Sequence, residues 1–228
     1  MPPDPATPWR NFYGRLHGKT LRPAQRDYLE NELPRWRIAG VTAAENPARA
    51  RLALAREGRP LWLEVGFGSG EHLMHMACAN PQADLIGCEA YVNGVAVLLG
   101  KLRREPLANV RIHPGDVRDL FDVLPEGALS RVFLNYPDPW PKARHHRRRF
   151  VSPEFLLPLA RVMAAKGEFR IATDIPDYAR QSLEEVPPAG FALVADSGTA
   201  WPDWAPTRYE EKALREGRRP RYLTFRRL

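Results

Sequence analysis

The sequence has little cysteine and no long apolar run. Two of its 228 residues are cysteine, Cys78 and Cys88, which argues against a disulfide framework and favours a reducing compartment. Both fall in a predicted helix or strand, so we expect two small buried side chains. No apolar segment approaches the length of a membrane span. The proline-rich residues 1–10, for which we predict disorder, lack the apolar region of a signal peptide. We therefore expect a cytoplasmic protein.

The histidines do not form a pattern typical of a metal site. His72 and His75 lie three residues apart beside Glu71, but the order differs from H-E-x-x-H and no third ligand is spaced to join them. We interpret both as core or surface residues and predict no bound metal.

Positive charge is concentrated at the two ends of the chain. The formal net charge is +7, to which residues 1–59 contribute +5, residues 60–141 contribute −4 and residues 142–228 contribute +6. Basic ends around an acidic middle favour a polyanionic partner, most simply a nucleic acid. We accordingly divide the chain into a basic N-terminal extension, residues 1–59, and a domain over residues 60–228 that includes a basic, RNA-binding C-terminal segment.

A glycine-rich turn follows an apolar stretch in the middle of the chain. Residues 61–70 have the sequence LWLEVGFGSG, which predicts a buried strand followed by a turn. Glycine permits positive φ and lets a ligand approach the bare backbone. Residues 73–79 then predict a helix. A strand, a glycine turn and a helix together form the nucleotide-binding half of a doubly wound sheet.

The spacing of these glycines distinguishes between classes of cofactor. A dinucleotide fingerprint would require a third glycine at the position of Glu71, and a nucleophile elbow would require a glycine in place of Phe67. The observed pattern over residues 64–70 is E-x-G-x-G-x-G. It is similar to the first motif of the Rossmann-like methyltransferases that use S-adenosylmethionine, although a glycine turn without a ligand is the alternative.

Strands and helices alternate through the rest of the domain. Strands are predicted at 84–89, 110–113, 131–136 and 168–173, and helices at 92–104, 153–163 and 177–185. This alternation indicates a parallel sheet covered on both faces. Two late strands, 191–194 and 221–226, are expected to pair with each other. The predicted fold is α/β, a doubly wound and mostly parallel Rossmann-like sheet of the class I methyltransferase type, with antiparallel strand pairing at its C-terminal end.

Two helices are predicted in the N-terminal extension. Asn46 as N-cap and Pro47 at the first position favour a helix over residues 46–57. Residues 22–37 have helical spacing in part, and we expect that helix to stop near Pro34.

Three carboxylates lie in or after predicted strands, where a doubly wound sheet binds its ligand. We expect Glu89 to accept hydrogen bonds from ribose hydroxyls, and Asp116 to accept from an adenine amine unless it is an ordinary turn residue. Glu64 lies inside a buried strand, where an unpaired charge is costly. The ammonium group of the cofactor is a candidate donor to it.

A rigid loop and a basic run follow the strand predicted at 131–136. Residues 137–140 have the sequence PDPW, and the two prolines stiffen the loop around Asp138. The indole of Trp140 could stack on a base whose edge donates to the carboxylate; a proline-stiffened structural turn is the alternative. Residues 142–149, KARHHRRR, favour phosphate binding beside the reacting centre over a solvated face.

These motifs together resemble those of the bacterial tRNA (guanine-N7-)-methyltransferase family, TrmB. The resemblance extends from about Tyr13 to the C-terminus, and its most specific part is P-D-P-W-x-K-x-R-H at residues 137–145. It departs from many relatives at Tyr136, where they have phenylalanine, and from some at Arg208, where they have lysine. The other matching positions are Gly14, Arg15, Gln25, residues 64–70, Glu89, Gly115, Asp116, Arg148, Arg149, residues 172–174 and residues 207–210.

The resemblance implies a cofactor, a substrate and a set of site residues. Methyl transfer from S-adenosylmethionine to N7 of a guanine in the variable loop of tRNA would be the reaction, with Asp138 as catalytic residue. The implied or expected cofactor-binding residues are Glu64, Gly66, Gly68, Gly70, Glu89, Asp116 and Asp138. The expected substrate-binding residues are Lys142, Arg144, Arg147, Arg148, Arg149, Asp174, Thr207, Arg208, Tyr209 and Glu210. Whether the protein is a monomer or a homodimer stays open.

Three other functions are considered. Residues 135–137, Asn-Tyr-Pro, are loosely similar to the N-P-P-Y loop of enzymes that methylate exocyclic amines, but the second consecutive proline is missing. An NAD enzyme is opposed by Glu71 in the glycine loop. A non-enzymatic RNA-binding module would explain the basic ends but would leave Glu64, Glu89 and Asp116 without a role.

Overall fold

The computed structural model describes residues 11–228, so the disorder predicted for residues 1–10 lies outside the described part. One seven-stranded sheet organises the chain, with strand order β3-β2-β1-β4-β5-β7-β6. Neighbouring strands are parallel as far as β5, whereas β7 is antiparallel to both β5 and β6. The predicted mostly parallel sheet with antiparallel pairing at its C-terminal end is confirmed. The strands are β1 Leu61–Val65, β2 Asp84–Cys88, β3 Val110–His113, β4 Leu129–Asn135, β5 Met163–Thr173, β6 Phe191–Ser197 and β7 Arg221–Arg227.

Helices cover both faces of the sheet, as predicted. Alternate residues of a strand point to opposite faces, so Leu63 of β1 packs in a core with Leu120 and Leu156, whereas Trp62 packs in another core with Leu73 and Leu98. No helix within residues 11–228 is long and apolar enough to cross a membrane. The α-helices are α1 Pro23–Asp27, α2 Leu33–Trp36, α3 Glu71–Ala79, α4 Val92–Arg104, α5 Val117–Val123, α6 Pro153–Val162, α7 Pro176–Glu185 and α8 Arg208–Arg215.

The helix predicted over residues 46–57 is wrong. The side chain of Asn46 accepts a hydrogen bond from the Ala50 backbone N–H and donates to the Ala50 carbonyl. Asparagine competes in this way with helical hydrogen bonding. The chain then passes the end of α5, where the Leu52 N–H donates to the carbonyl of Val123 at 2.8 Å.

The helical segment at residues 22–37 continues past Pro34 to Trp36. A single wide turn of π-helix, Tyr28–Glu32, separates α1 from α2. Pro34 lies in the first turn of α2, where a missing N–H is tolerated. Trp36 and Ile38 are buried against the sheet, so the basic extension contributes to the hydrophobic core.

The prediction of two buried cysteines is correct for one of them. Cys88 is buried in β2, whereas Cys78 is exposed on α3 with its thiol facing a carboxylate oxygen of Glu105. Helices α5 and α8 have no counterpart in the predicted elements. Helix α8 buries only two residues, Glu210 and Ala213, and its sequence RYEEKALR contains few apolar residues.

Candidate active site

The glycine loop connects β1 to α3 at the carboxyl edge of the sheet. Gly66, Gly68 and Gly70 all have positive φ, between 58° and 76°, which side chains with a Cβ rarely adopt. A Cβ at Gly66 would meet nothing within 4 Å, whereas a Cβ at Gly70 would come within 2.5 Å of Leu98. The loop therefore presents bare backbone at Gly66 and packs closely against α4 at Gly70.

Glu89 binds directly to this loop. One carboxylate oxygen accepts from the Gly68 N–H at 2.8 Å and the other accepts from the Tyr91 N–H at 2.9 Å. Burial raises the pKa of Glu89, the backbone N–H groups oppose that rise, and the negative charge of Asp138 adds to it. A carboxylate oxygen has two lone pairs, so each oxygen retains an acceptor position for a ligand above the loop.

Glu64 is buried in β1 and has donors within the protein. One of its oxygens is 2.9 Å from Nδ1 of His72, and the other is 3.5 Å from Nδ2 of Asn135. The donors that a buried carboxylate requires are thus available within the protein, and the role of Glu64 toward a cofactor stays a proposal. His72 is a core residue, as expected, with its ring centroid 4.9 Å from those of both Phe133 and Trp204.

Asp116 is the N-cap of α5. Its side chain accepts from the Arg118 backbone N–H at 2.9 Å, and both of its oxygens accept from the Arg118 guanidinium. That guanidinium also donates to the carbonyl of Asn11 at 3.0 Å. Much of the hydrogen-bonding capacity of Asp116 is thus used internally, as the turn interpretation predicts.

The PDPW loop follows β4 at the same edge of the sheet. Tyr136 and Trp140 at its two ends have φ of +48° and +41°, a strained conformation for residues with bulky side chains. Asp138 between them is exposed and close enough to Glu89 for its charge to affect the pKa of that residue. Glu89 follows β2 and Asp138 follows β4, the two strands on either side of β1, so both lie at the carboxyl edge of the sheet near the glycine loop.

The basic run after the loop contains arginines in three different environments. Arg144 and Arg147 are exposed. The guanidinium of Arg148 lies 4.8 Å from the ring centroid of Tyr13 and 5.1 Å from that of Trp140. The indole thus already stacks on a cation, an interaction that the sequence does not predict.

Arg149 is only 1% exposed. It donates to the Pro139 carbonyl at 2.8 Å, to a carboxylate oxygen of Asp177 at 2.8 Å and to the side-chain oxygen of Gln181 at 2.9 Å. The phosphate contact expected of Arg149 is not supported by this burial. The residue instead ties the end of the PDPW loop to α7.

Replacing Arg149 with alanine is expected to lower stability by about 3 kcal/mol, because it leaves a cavity where an almost fully buried side chain packs and leaves the buried Gln181 oxygen without its donor. Thermal unfolding measures the loss, with Arg147→Ala as the exposed control. Equal melting temperatures for the two variants would contradict the structural role.

Residues 11–19 cross the carboxyl edge of the sheet above these groups. The segment is held at one end by Arg118 and Arg148, as described above. At its other end the Leu16 carbonyl accepts from the Val92 N–H at 2.9 Å, and Asn93 bonds the backbone of residues 18 and 19. The stretch is basic and partly aromatic in sequence, but nothing in the sequence indicates its position.

Helix α8 brings a further part of the expected site to the glycine loop. The ring of Tyr209 lies 3.5 Å from the place of a Cβ at Gly68, and the Arg208 guanidinium lies 4.9 Å from the Tyr209 ring centroid. Thr207 caps the helix by accepting from the Glu210 N–H at 3.2 Å. Arg208 and Tyr209 therefore reach the loop, whereas Thr207 orients the helix.

Glu210 and Asp174 have protein partners. Glu210 is buried and accepts from the Trp204 indole N–H at 2.6 Å and from the Tyr222 hydroxyl. Asp174 forms an ion pair with Arg218. Burial raises the pKa of Tyr136, and Tyr222, Glu210 and Asp174 add to the rise.

No group of histidine, cysteine, aspartate or glutamate side chains within residues 11–228 has the arrangement of a metal site. The site is instead a glycine loop with a carboxylate beside it, an exposed aspartate on a rigid loop, and exposed basic residues around them.

Comparison with known proteins identifies the family. A family described as "Putative methyltransferase" matches residues 58–221. The chain is 65% identical over 221 residues to the tRNA (guanine-N(7)-)-methyltransferase of Cereibacter sphaeroides, covering 96% of this chain and 92% of that protein. It is 62% identical over 227 residues to the enzyme of that name from Paracoccus denitrificans, covering 98% and 97%.

The fold is shared with solved structures. The crystal structure of the 16S rRNA methyltransferase KamB is similar with a TM-score of 0.57 at 18% identity, covering 84% of this chain and 99% of that one. At this identity the likeness concerns the fold alone. The two relatives and the matched family show more than the fold. The chain belongs to the family of the tRNA (guanine-N(7)-)-methyltransferases.

Proposed function

We propose that this protein transfers the methyl group of S-adenosylmethionine to N7 of a guanine in the variable loop of tRNA, in the cytoplasm. The observation that carries the proposal is the placement of Glu89 after β2 and of exposed Asp138 after β4, on either side of the glycine loop that follows β1. A base held by Asp138 would meet a cofactor held by Glu89. The names of the close relatives support the same reaction.

The residues at the carboxyl edge fit S-adenosylmethionine. Gly66 offers open backbone, and Glu89 offers acceptor positions suited to two ribose hydroxyls. Asp116 lies at the adenine end and Glu64 at the methionine end of such a placement. When bound, the cofactor supplies an electrophilic methyl group. Every other part of the reaction falls to the protein and the RNA.

Positioning is the main task of the protein in this reaction. N7 of guanine carries an in-plane lone pair, which would accept the methyl group that the bound cofactor supplies, with S-adenosylhomocysteine as the leaving product. No proton leaves N7, so no general base is required. Asp138 accepts hydrogen bonds from the N–H groups of guanine and holds N7 in line with the methyl carbon, which lowers the entropic part of the barrier.

The tRNA backbone would contact the exposed basic residues beside this centre. Lys142, Arg144 and Arg147 follow the PDPW loop, and Arg15 and Lys19 lie on the segment that crosses the edge; all five are exposed. Arg208 and Tyr209 extend the surface toward α8. This distribution supports phosphate binding from two sides of the target base.

Neutralising Arg144 and Arg147 together is expected to weaken tRNA binding and to flatten its dependence on salt. For each phosphate that is no longer neutralised, the log–log slope should fall by about 0.7–0.9. Titrations of the double alanine variant at several salt concentrations measure the slope, and Arg35→Ala, an exposed arginine on α2, is the control. A slope equal to that of the wild type would show that Arg144 and Arg147 do not contact phosphates and only face solvent.

Cofactor affinity is expected to fall on acidification, beginning above the usual glutamate pKa of about 4.3, because burial raises the pKa of Glu89. Protonation removes the charged acceptor for the ribose. A raised pKa means that this protonation favours the folded state, so Glu89 itself does not cause acid unfolding. Calorimetry with S-adenosylhomocysteine between about pH 7 and pH 5 measures the fall. Glu89→Gln should be less sensitive, and equal pH profiles would contradict the assignment.

A tRNA with 7-deazaguanosine at the target position tests the proposed reaction. This analogue replaces N7 with carbon and keeps the N–H groups that Asp138 would bind. We expect it to compete with tRNA for the enzyme without accepting a methyl group. Methylation of the analogue at the substituted residue would exclude N7 as the target atom.

A further inference from the structure

Asn135 is the last residue of β4 and lies immediately before the PDPW loop. Phe133, two residues before Asn135 in the same strand, is paired in register with Glu64 of β1. Because side chains alternate between faces, Asn135 lies on the same face as Glu64, one step closer to the carboxyl edge. It is 8% exposed, and the proposed reaction gives it no role.

The orientation of the Asn135 amide follows from its contact with Glu64. Nδ2 is 3.5 Å from a carboxylate oxygen of Glu64, and only this orientation presents a donor to the carboxylate. Nδ1 of His72 is 2.9 Å from the other oxygen and therefore carries a hydrogen as well. His72 Nδ1 and Asn135 Nδ2 are 3.2 Å apart. In this orientation both are donors, and they lie close together because each donates to an oxygen of the same carboxylate.

The side-chain oxygen of Asn135 is consequently turned away from Glu64. It is buried and has no hydrogen-bond partner within residues 11–228. Buried acceptors in folded proteins nearly always have a partner, and an exception calls for an explanation. At this position, beside Gly66 and in front of the PDPW loop, a ligand is the simplest explanation.

We infer that the Asn135 side-chain oxygen accepts a hydrogen bond from the ammonium group of S-adenosylmethionine, next to Glu64. This inference rests on the proposed cofactor site and specifies its methionine end. An ammonium group has three N–H donors, so it could donate to the Asn135 amide oxygen with one and to the Glu64 carboxylate with another. His72 is a positioning residue, since its Nδ1–H donates to the other carboxylate oxygen of Glu64.

Two ligands separate this contact from a structural role. S-adenosylhomocysteine has the amino-acid moiety, and 5′-methylthioadenosine shares its adenosine and sulfur but lacks the ammonium. By calorimetry, Asn135→Leu should lower the affinity for S-adenosylhomocysteine by about 10-fold or more and leave the affinity for 5′-methylthioadenosine nearly unchanged. Asn31→Leu, the same change at an exposed position, should affect neither ligand. Asn135→Ala, which also lacks the acceptor, replaces the leucine variant if that variant does not fold.

An equal loss for both ligands, or no loss for either, would overturn the inference. The proposed cofactor site fails separately, if the wild type binds neither ligand. For the positioning role, His72→Asn keeps an N–H donor and should retain selectivity for S-adenosylhomocysteine over 5′-methylthioadenosine, whereas His72→Leu should lose it. Equal selectivity in these two variants would exclude the positioning role of His72. The role of Asn135 is decided separately, by the affinities of the Asn135 variants.

Discussion

Replacing Asp138 with asparagine is expected to slow methyl transfer to tRNA about 10- to 150-fold, the cost of at least one charged hydrogen bond. The change keeps the shape of the side chain but sets an amide donor against the N–H donors of guanine. Asp138 is exposed and fixed between Pro137 and Pro139, at the same edge of the sheet as Glu89, the proposed ligand of the cofactor ribose. Cofactor affinity should change much less than the rate, since Glu89 remains.

Single-turnover rates between about pH 6 and pH 9 distinguish an orienting role from that of a general base. Because N7 carries no proton, the residual rate of Asp138→Asn should not rise steeply with pH. Asp27→Asn, an equivalent change on α1, is the control. A residual rate that climbs about tenfold per pH unit would identify Asp138 as a general base and would move the target from N7 to an amine. A rate near that of the wild type would make Asp138 part of a stiff loop only.

Replacing Glu89 with glutamine is expected to lower the affinity for S-adenosylhomocysteine about 10- to 150-fold. Both carboxylate oxygens accept from backbone N–H groups, those of Gly68 and Tyr91. An amide can accept at only one of these two places, so the variant loses a hydrogen bond to the backbone and a charged acceptor for the ribose. Calorimetry measures the affinity.

The same substitution should not destabilise the fold through loss of charge. Burial raises the pKa of Glu89, so its negative charge costs free energy in the folded state relative to the unfolded state, and glutamine removes that charge. Thermal unfolding provides the control. Unchanged affinity in a folded variant would remove Glu89 from the cofactor site, and a large loss of stability would indicate that it acts mainly on the loop.

The elements with strong apolar periodicity could be predicted from the sequence. The boundaries of α4 and β3 agree with those predicted, because apolar spacing and flanking turn residues both mark them. The prediction over residues 46–57 failed because Asn46 is a plausible helix cap by residue type alone. Its side chain bonds a local turn instead, and the tertiary contacts that favour this turn are not visible in the chain order.

The site could be predicted where a motif fixes its own geometry. Glycines followed by a strand-end acid identified the loop and Glu89, and the prolines identified a rigid loop around Asp138. The partners of Arg149 on α7 and the contact between Glu64 and Asn135 could not be predicted, since these residues are distant in the sequence. A run of arginines shows its charge, but burial of one member depends on α7, which packs against it only in the folded protein.

The nucleoside that receives the methyl group tests the central claim most directly. The protein is incubated with methyl-labelled S-adenosylmethionine and unmodified bulk tRNA, the RNA is digested to nucleosides, and the labelled nucleoside is identified. We predict that the label is found in N7-methylguanosine, derived from the variable loop, and that Asp138→Asn gives the same product at a lower rate. Label in a nucleoside methylated on an exocyclic amine, or no label in tRNA, would contradict the account.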